Sequence, residues 1–135
     1  MTNADKQTPT PVAITLPAAE PANVVDQAEA ETAAALFKAL ADPVRVRLVS
    51  MVRHSPGGEA CFCDLAEEFD MPQPSLSHHL RVLVAAGILA RERRGTWSWY
   101  TACPQPLAML GDLLRAGGPL AGPARLTGAD RGQRC

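Results

Sequence analysis

The sequence predicts a mainly α domain that carries one β-hairpin. Three observations predict it: helical apolar stripes follow one another between residues 28 and 86, two β-favouring runs meet at Arg94-Gly95-Thr96, and a leucine stripe comes after them. The ends differ in kind. Residues 1–25 hold Pro9, Pro11, Pro17 and Pro21 among Thr and Ala, and residues 116–135 hold Gly117-Gly118-Pro119, Gly122-Pro123, Gly128 and Gly132, with no period in either. Proline removes donors and fixes φ, and little in these stretches offsets the entropy of ordering. The expected organisation is a disordered N-terminal tail at 1–25, one domain at 26–115 and a disordered C-terminal tail at 116–135.

The first helix is expected through Ala28–Leu40, where Leu36, Phe37 and Leu40 follow an alanine-rich, helix-favouring stretch. Asp42-Pro43 starts a second: Asp caps orphan N–H groups, and Pro at the first position has no N–H to lose. Val44, Leu48 and Val52 form its stripe, and Ser55-Pro56-Gly57-Gly58 ends it. A short third helix from Asp64 to Phe69 buries Leu65 and Phe69, and Asp70-Met71-Pro72 connects it tightly to a fourth at Gln73–Ala86. Leu76, Leu80, Leu83 and Val84 give that helix one narrow apolar face, with His78 nearly opposite, until Gly87 stops it. Ile88–Arg93 and Trp97–Ala102 form the hairpin. Leu107, Leu110, Leu113 and Leu114 place a stripe on a last helix expected to end at Gly117.

Composition removes several classes of function. The chain has 135 residues, 13 Lys and Arg against 14 Asp and Glu, and a 20% charged fraction, which excludes a polybasic coat and an acidic solvating tail. No apolar run approaches the ~18 residues of a membrane span, so no membrane partner is expected. The N-terminus has one Lys and no compact apolar block, so no secretory signal is expected. The four cysteines then point to free thiols or a metal site in a reducing cytoplasm. No nucleophile–base pair or phosphate loop is present, so neither an enzyme nor an organic cofactor is expected.

A short helix, a tight turn and a longer helix with a polar outer face is the sequence form of helix–turn–helix, and the hairpin adds a wing. The expected fold is therefore a winged helix–turn–helix. In that motif the second helix enters the major groove of double-stranded DNA with its N-terminal residues at the base edges. Gln73, Ser75, Ser77, His78 and His79 stand there, followed by Arg81 for phosphate. Arg91, Arg93 and Arg94 suit a flanking backbone or minor groove. A polar helix face alone is usually only solvated, and Arg93-Arg94 alone is an ordinary turn; the order and spacing of all of them is what points to DNA. Leucines on the first and last helices exceed what a core of about 90 residues can cover, which implies a homodimer and an inverted-repeat operator.

Asp42-Pro43-x-Arg45, Cys61-Phe62-Cys63-Asp64-Leu65, Ser77-His78-His79-Leu80, Ala86-Gly87-Ile88-Leu89 and Gly95-x-Trp97-x-x-Tyr100 together resemble the ArsR/SmtB family of metalloregulatory repressors, over about residues 30–115. The resemblance implies a winged helix–turn–helix homodimer that represses a metal-resistance operon and leaves its operator on binding metal. Pro72 and Pro74 depart from the family, which usually has serine-like residues there. Both are tolerable among the orphan N–H groups of a helix start. They remove polar side chains, so operator sequence does not carry over.

Cys61-x-Cys63 is the chemically informative pair. On an ideal helix, residues i and i+2 point about 200° apart, so the two thiolates converge only where the chain is irregular, at the start of the third helix. That position is expected to lower thiol pKa through the helix N-terminal field, and an ion there would distort the first helix of the DNA-reading pair. Cysteine ligands select soft ions. The expected inducer is arsenite or antimonite; a cadmium, lead, zinc or thiol-redox sensor of the same fold, or a small C-x-C metal carrier, are the alternatives. Arsenite-sensing relatives can place another cysteine one turn on, where this chain has Ala66. Cys103, at the close of the second wing strand, is the preferred third ligand, within the chain or across a dimer. Cys135 ends a glycine-rich tail and would lose more entropy on binding.

Overall fold

The structure is a computed structural model, and it describes residues 24–123. Cys135 and most of both expected tails lie outside these residues. Among the described residues are five helices and a three-stranded antiparallel sheet, in the order α1 (Gln27–Leu40), α2 (Pro43–His54), β1 (Glu59–Cys61), α3 (Phe62–Glu68), α4 (Gln73–Ala85), β2 (Leu89–Arg94), β3 (Trp97–Ala102) and α5 (Pro104–Leu114). None of these helices is long and apolar enough to cross a membrane. The described chain divides into two compact units, residues 30–111 and residues 24–29 with 112–123.

In the larger unit, the expected signals set the ends of the helices. Asp42 caps α2, accepting from the Val44 and Arg45 N–H groups at 2.8 and 3.4 Å. Burial pushes its carboxyl up, but those bonds, with His79 and Arg45 nearby, outweigh it and leave the pKa lowered. The end of α4 is a Schellman motif: Gly87 N–H donates to Val84 C=O at 3.0 Å and Ile88 N–H to Leu83 C=O at 3.0 Å, with Gly87 at φ 81°. The motif's hydrophobic pair, Leu83 and Ile88, is fully buried.

Leu48 and Val52 from α2, Leu65 from α3, and Leu76, Leu80 and Leu83 from α4 form the core with Leu89 of the sheet. Burying each such side chain stabilises by about 1.5–3 kcal/mol. The Arg47 guanidinium lies 4.6 Å from the centre of the Phe69 ring, fastening the end of α3 to α2. Helix α3 packs on β1 and β3, helix α4 on α2 and β2, and the turn at Phe69–Pro72 joins them.

The sheet runs β1-β3-β2. Arg94 pairs with Trp97 around the two-residue loop Gly95-Thr96, and only Gly95 there has a positive φ, 65°, the pattern of a type II′ hairpin turn. Strand β1 was not expected: three residues carry no period, and only its pairing with β3, with Cys61 opposite Trp99, makes it a strand. Helix α3 begins at Phe62, two residues before the expected Asp64, because Cys61 itself caps it.

In the smaller unit, Asp26 accepts from the Glu29 N–H at 2.8 Å. Helix α5 stops at Leu114, before Gly117. Residues 116–122, expected as tail, close turns through Gly118 N–H to Arg115 C=O at 2.8 Å and Gly122 N–H to Gly118 C=O at 2.9 Å.

Candidate functional site

The Cys61-x-Cys63 pair sits where β1 becomes α3. Cys61 is extended (φ −80°, ψ 148°) and caps the helix, its Sγ accepting from the Cys63 N–H at 3.4 Å. This break in regular backbone brings the two sulfurs to 2.6 Å, as the spacing requires for joint action. Cys61 is buried and Cys63 half-buried. Two sulfurs on a tetrahedral ion with bonds of about 2.3 Å stand about 3.7 Å apart, so side-chain rotation of the neighbouring pair is enough to share one ion.

One expectation fails at Cys63. Its thiol is pushed above the ordinary range, first because it is hydrogen-bonded to Cys61, then by burial and by the charges of Cys61 and Asp64; a bond involving the Asp64 backbone opposes this.

Cys103 does not join the pair within the chain. Cys61 faces Trp99 on β3, and Cys103 lies four residues further along, about 13 Å at the rise of an extended strand. Its N–H instead donates to Ile88 C=O at 2.8 Å. Among the described residues, no three His, Cys, Asp or Glu side chains come together to hold an ion.

The expected DNA-contacting residues fall into two groups. Gln73, Ser75, His78 and Arg81 are exposed on α4, Ser77 is half-exposed beside them, and Arg93 is exposed on the wing. Gln73, Ser77 and Arg81 line one side of a cleft of about 480 Å³, faced from the wing by Arg91, Thr96, Trp97 and Ser98. Pro72 begins α4 without a side-chain cap.

His79 and Arg94 have partners inside the protein. Arg45 Nη1 donates to His79 Nδ1 at 3.0 Å, and its Nε donates to the Ala39 carbonyl. Arginine has no acceptor, so Nδ1 of a neutral His79 carries the lone pair and Nε2 the proton. Arg94 is bound to Glu59 and Glu92. Neither partnership was visible in local sequence, because Arg45–His79 spans 34 residues and Glu59–Arg94 spans 35. The one available signal was charge: Glu59 stands just ahead of the cysteines and Arg94 at the hairpin turn.

A sequence profile described as bacterial regulatory protein, arsR family, matches residues 42–91. The chain is 35% identical over 103 residues to a Pseudomonas putida protein named arsenic resistance transcriptional regulator ArsR1, covering 73% of this chain and 79% of that one. It is 36% identical over 94 residues to the Mycobacterium tuberculosis HTH-type transcriptional repressor SmtB, covering 70% of this chain and 64% of the relative. The crystal structure of an ArsR family transcriptional regulator superposes with a TM-score of 0.57 at 27% identity, covering 63% of this chain and 84% of the other.

Proposed function

The chain belongs to the ArsR/SmtB family, whose members are DNA-binding transcriptional repressors and not enzymes, and we propose that Cys61 and Cys63 are its inducer site. The inducer is arsenite or antimonite. The observation that carries this reading is the convergence of two sulfurs, 2.6 Å apart, at the cap of the helix that leads into α4. The trivalent ion supplies soft, pyramidal acceptance of thiol sulfur. Cys61 gives up its bond to the Cys63 N–H when its sulfur turns to the ion, so the first turn of α3 loosens. Leu65 of α3 and Leu76 and Leu80 of α4 are all buried in the core, and the short Phe69–Pro72 turn passes a tilt of α3 on to α4. The third position is completed from outside the pair, by hydroxide, a small thiol or Cys103 of the partner subunit.

On DNA, Gln73, Ser75, Ser77 and His78 meet base edges in the major groove, while Arg81, Arg91 and Arg93 hold phosphates on either side of the cleft. His79 offers only its Nε2–H, so its partner is an acceptor. A homodimer presents two such helices to an inverted repeat with half-sites about 34–36 Å apart.

The similarity to a repressor named SmtB supports a second reading, in which the signal is cadmium, lead or zinc. Four-coordinate ions need two donors beyond the pair. The deciding experiment titrates a protein–operator complex with arsenite, antimonite, cadmium, lead and zinc and follows fluorescence anisotropy. Release by the trivalent ions at the lowest concentrations supports the first reading. Release by zinc or cadmium alone replaces it with the second.

A further inference from the structure

Arg94, at the end of β2, turns its guanidinium back onto its own protein. Nη1 and Nη2 donate to the two carboxylate oxygens of Glu59 at 3.2 and 2.7 Å. Nε and Nη2 donate to Glu92 Oε1 at 3.2 and 2.9 Å, and the guanidinium carbon lies 4.7 Å from the centre of the Trp99 ring. These contacts engage all three nitrogens of the fork. The place of the partners matters as much as their number. Glu59 stands two residues before Cys61 on β1, and Trp99 is the residue that Cys61 faces across the ladder. Arg94 therefore grips the thiol pair's own strand and the pair's cross-strand neighbour together. The Arg94 bonds also hold the Glu59 carboxyl below its usual range, against a smaller opposing effect of burial.

We propose that Arg94 is a positioning residue that latches the wing to β1, and that this latch carries the state of the thiol pair to the DNA-flanking hairpin. The proposal rests on Cys61 and Cys63 being the inducer site. Cys61 is both the last residue of β1 and the cap of α3, so turning its sulfur onto an ion pulls on the end of β1. Trp99, held in register with Cys61, is displaced with it, and Glu59 shifts relative to the hairpin. A two-oxygen clamp on a planar guanidinium has a narrow geometry, so this displacement opens it. The hairpin then loses its fixed angle, and bringing Arg91 and Arg93, which are exposed on it, to the same phosphates costs ordering entropy. The inducer in this way acts on both DNA elements, on α4 through α3 and on the wing through β1.

The sign of one substitution separates a latch from a DNA contact. If Arg94 held phosphate, Glu59→Gln would free the guanidinium and remove a negative charge near DNA, and operator affinity would rise. A latch gives the opposite sign: Glu59→Gln and Arg94→Gln each lower affinity about 2–5-fold, and the double variant is no weaker than either alone. Arg94→Gln leaves the slope of log K against log salt unchanged, whereas Arg93→Gln, which removes one phosphate contact from each subunit, flattens it by about 1.8. The factor by which arsenite lowers affinity shrinks in Glu59→Gln, and the free variant takes up arsenite at least as tightly as the wild type, because the latch no longer opposes it. The measurement is anisotropy on a duplex selected in vitro for binding, with Cys61→Ser alongside. A rise in affinity for Glu59→Gln, or a salt slope reduced by about two in Arg94→Gln, overturns the latch. If Cys61→Ser stays bound under arsenite while Glu59→Gln responds like the wild type, the latch alone fails. If Cys61→Ser is released like the wild type, the inducer-site assignment fails and the latch fails with it.

Discussion

Ala66→Cys should convert the two-thiol pair into a three-thiol site. Positions 63 and 66 are i and i+3 on α3, so their Cβ atoms lie about 5–6 Å apart on one face of the helix. Three sulfurs around an ion with bonds of about 2.3 Å need separations of no more than about 4 Å, which a thiol at 66 reaches by rotating its side chain. Ala66 is half-buried, so the new thiol is accessible from solvent. Its cost to α3 is a lower helix propensity, about 0.5 kcal/mol. The gain is that the third As–S bond becomes intramolecular, and tethering of this kind raises affinity by about 10²-fold or more. The assay is arsenite-driven release of an operator duplex, followed by anisotropy with a phosphine reductant, since thiol reductants would compete for arsenite. Basal operator affinity should stay within about 2-fold of wild type, with the arsenite midpoint about 100-fold lower. An unchanged midpoint would refute the reasoning: either α3 does not take up arsenite, or its third position is already filled.

His78→Ala should cost about 1–3 kcal/mol on the cognate duplex and relax sequence preference, whereas Arg81→Ala should weaken binding to cognate and scrambled duplexes alike and flatten the salt slope; equal losses on both duplexes for His78→Ala would reverse the assignment. Arsenite condenses with protonated thiols and releases water, so its midpoint should stay flat between pH 6 and 8. Cadmium must displace thiol protons, and because the Cys63 pKa is raised those protons remain in place as pH rises; any cadmium midpoint should therefore fall by up to about 10² per pH unit. An arsenite midpoint that moves as steeply contradicts the chemistry assigned to the pair. Leu80 is fully buried, and Leu80→Ala should lower stability by about 2–5 kcal/mol in urea unfolding. A loss below about 1 kcal/mol would mean that the floor under α4 is not what holds it.

Features that depend on near neighbours were legible in the sequence. Asp42-Pro43 marked the start of α2 and Gly87 the end of α4, because caps and left-handed stops act within a few residues. The convergence of Cys61 and Cys63 was legible for the same reason: an i, i+2 pair can meet only where the helix is broken. Features set by pairing across the fold were not. Strand β1 exists through β3, and its register is what places Cys103 away from Cys61. The raised pKa of Cys63 reflects its hydrogen bond with Cys61, a short-range effect that the helix-field argument left out. His79 read as one more base-edge group and Arg94 as one more cation for DNA until the fold supplied Arg45 and Glu59 as their partners.

The central claim is that the two thiols at the head of α3 control DNA binding, and single serine substitutions test it most directly. Serine is itself a good helix cap, so Cys61→Ser keeps α3 in place while removing the soft ligand. Operator complexes of wild type, Cys61→Ser and Cys63→Ser are titrated with arsenite and followed by anisotropy. The wild-type complex should lose about 5–150-fold in affinity, while both variants bind the operator as wild type does and stay bound. Release of the Cys61→Ser complex at the wild-type arsenite concentration would contradict the account.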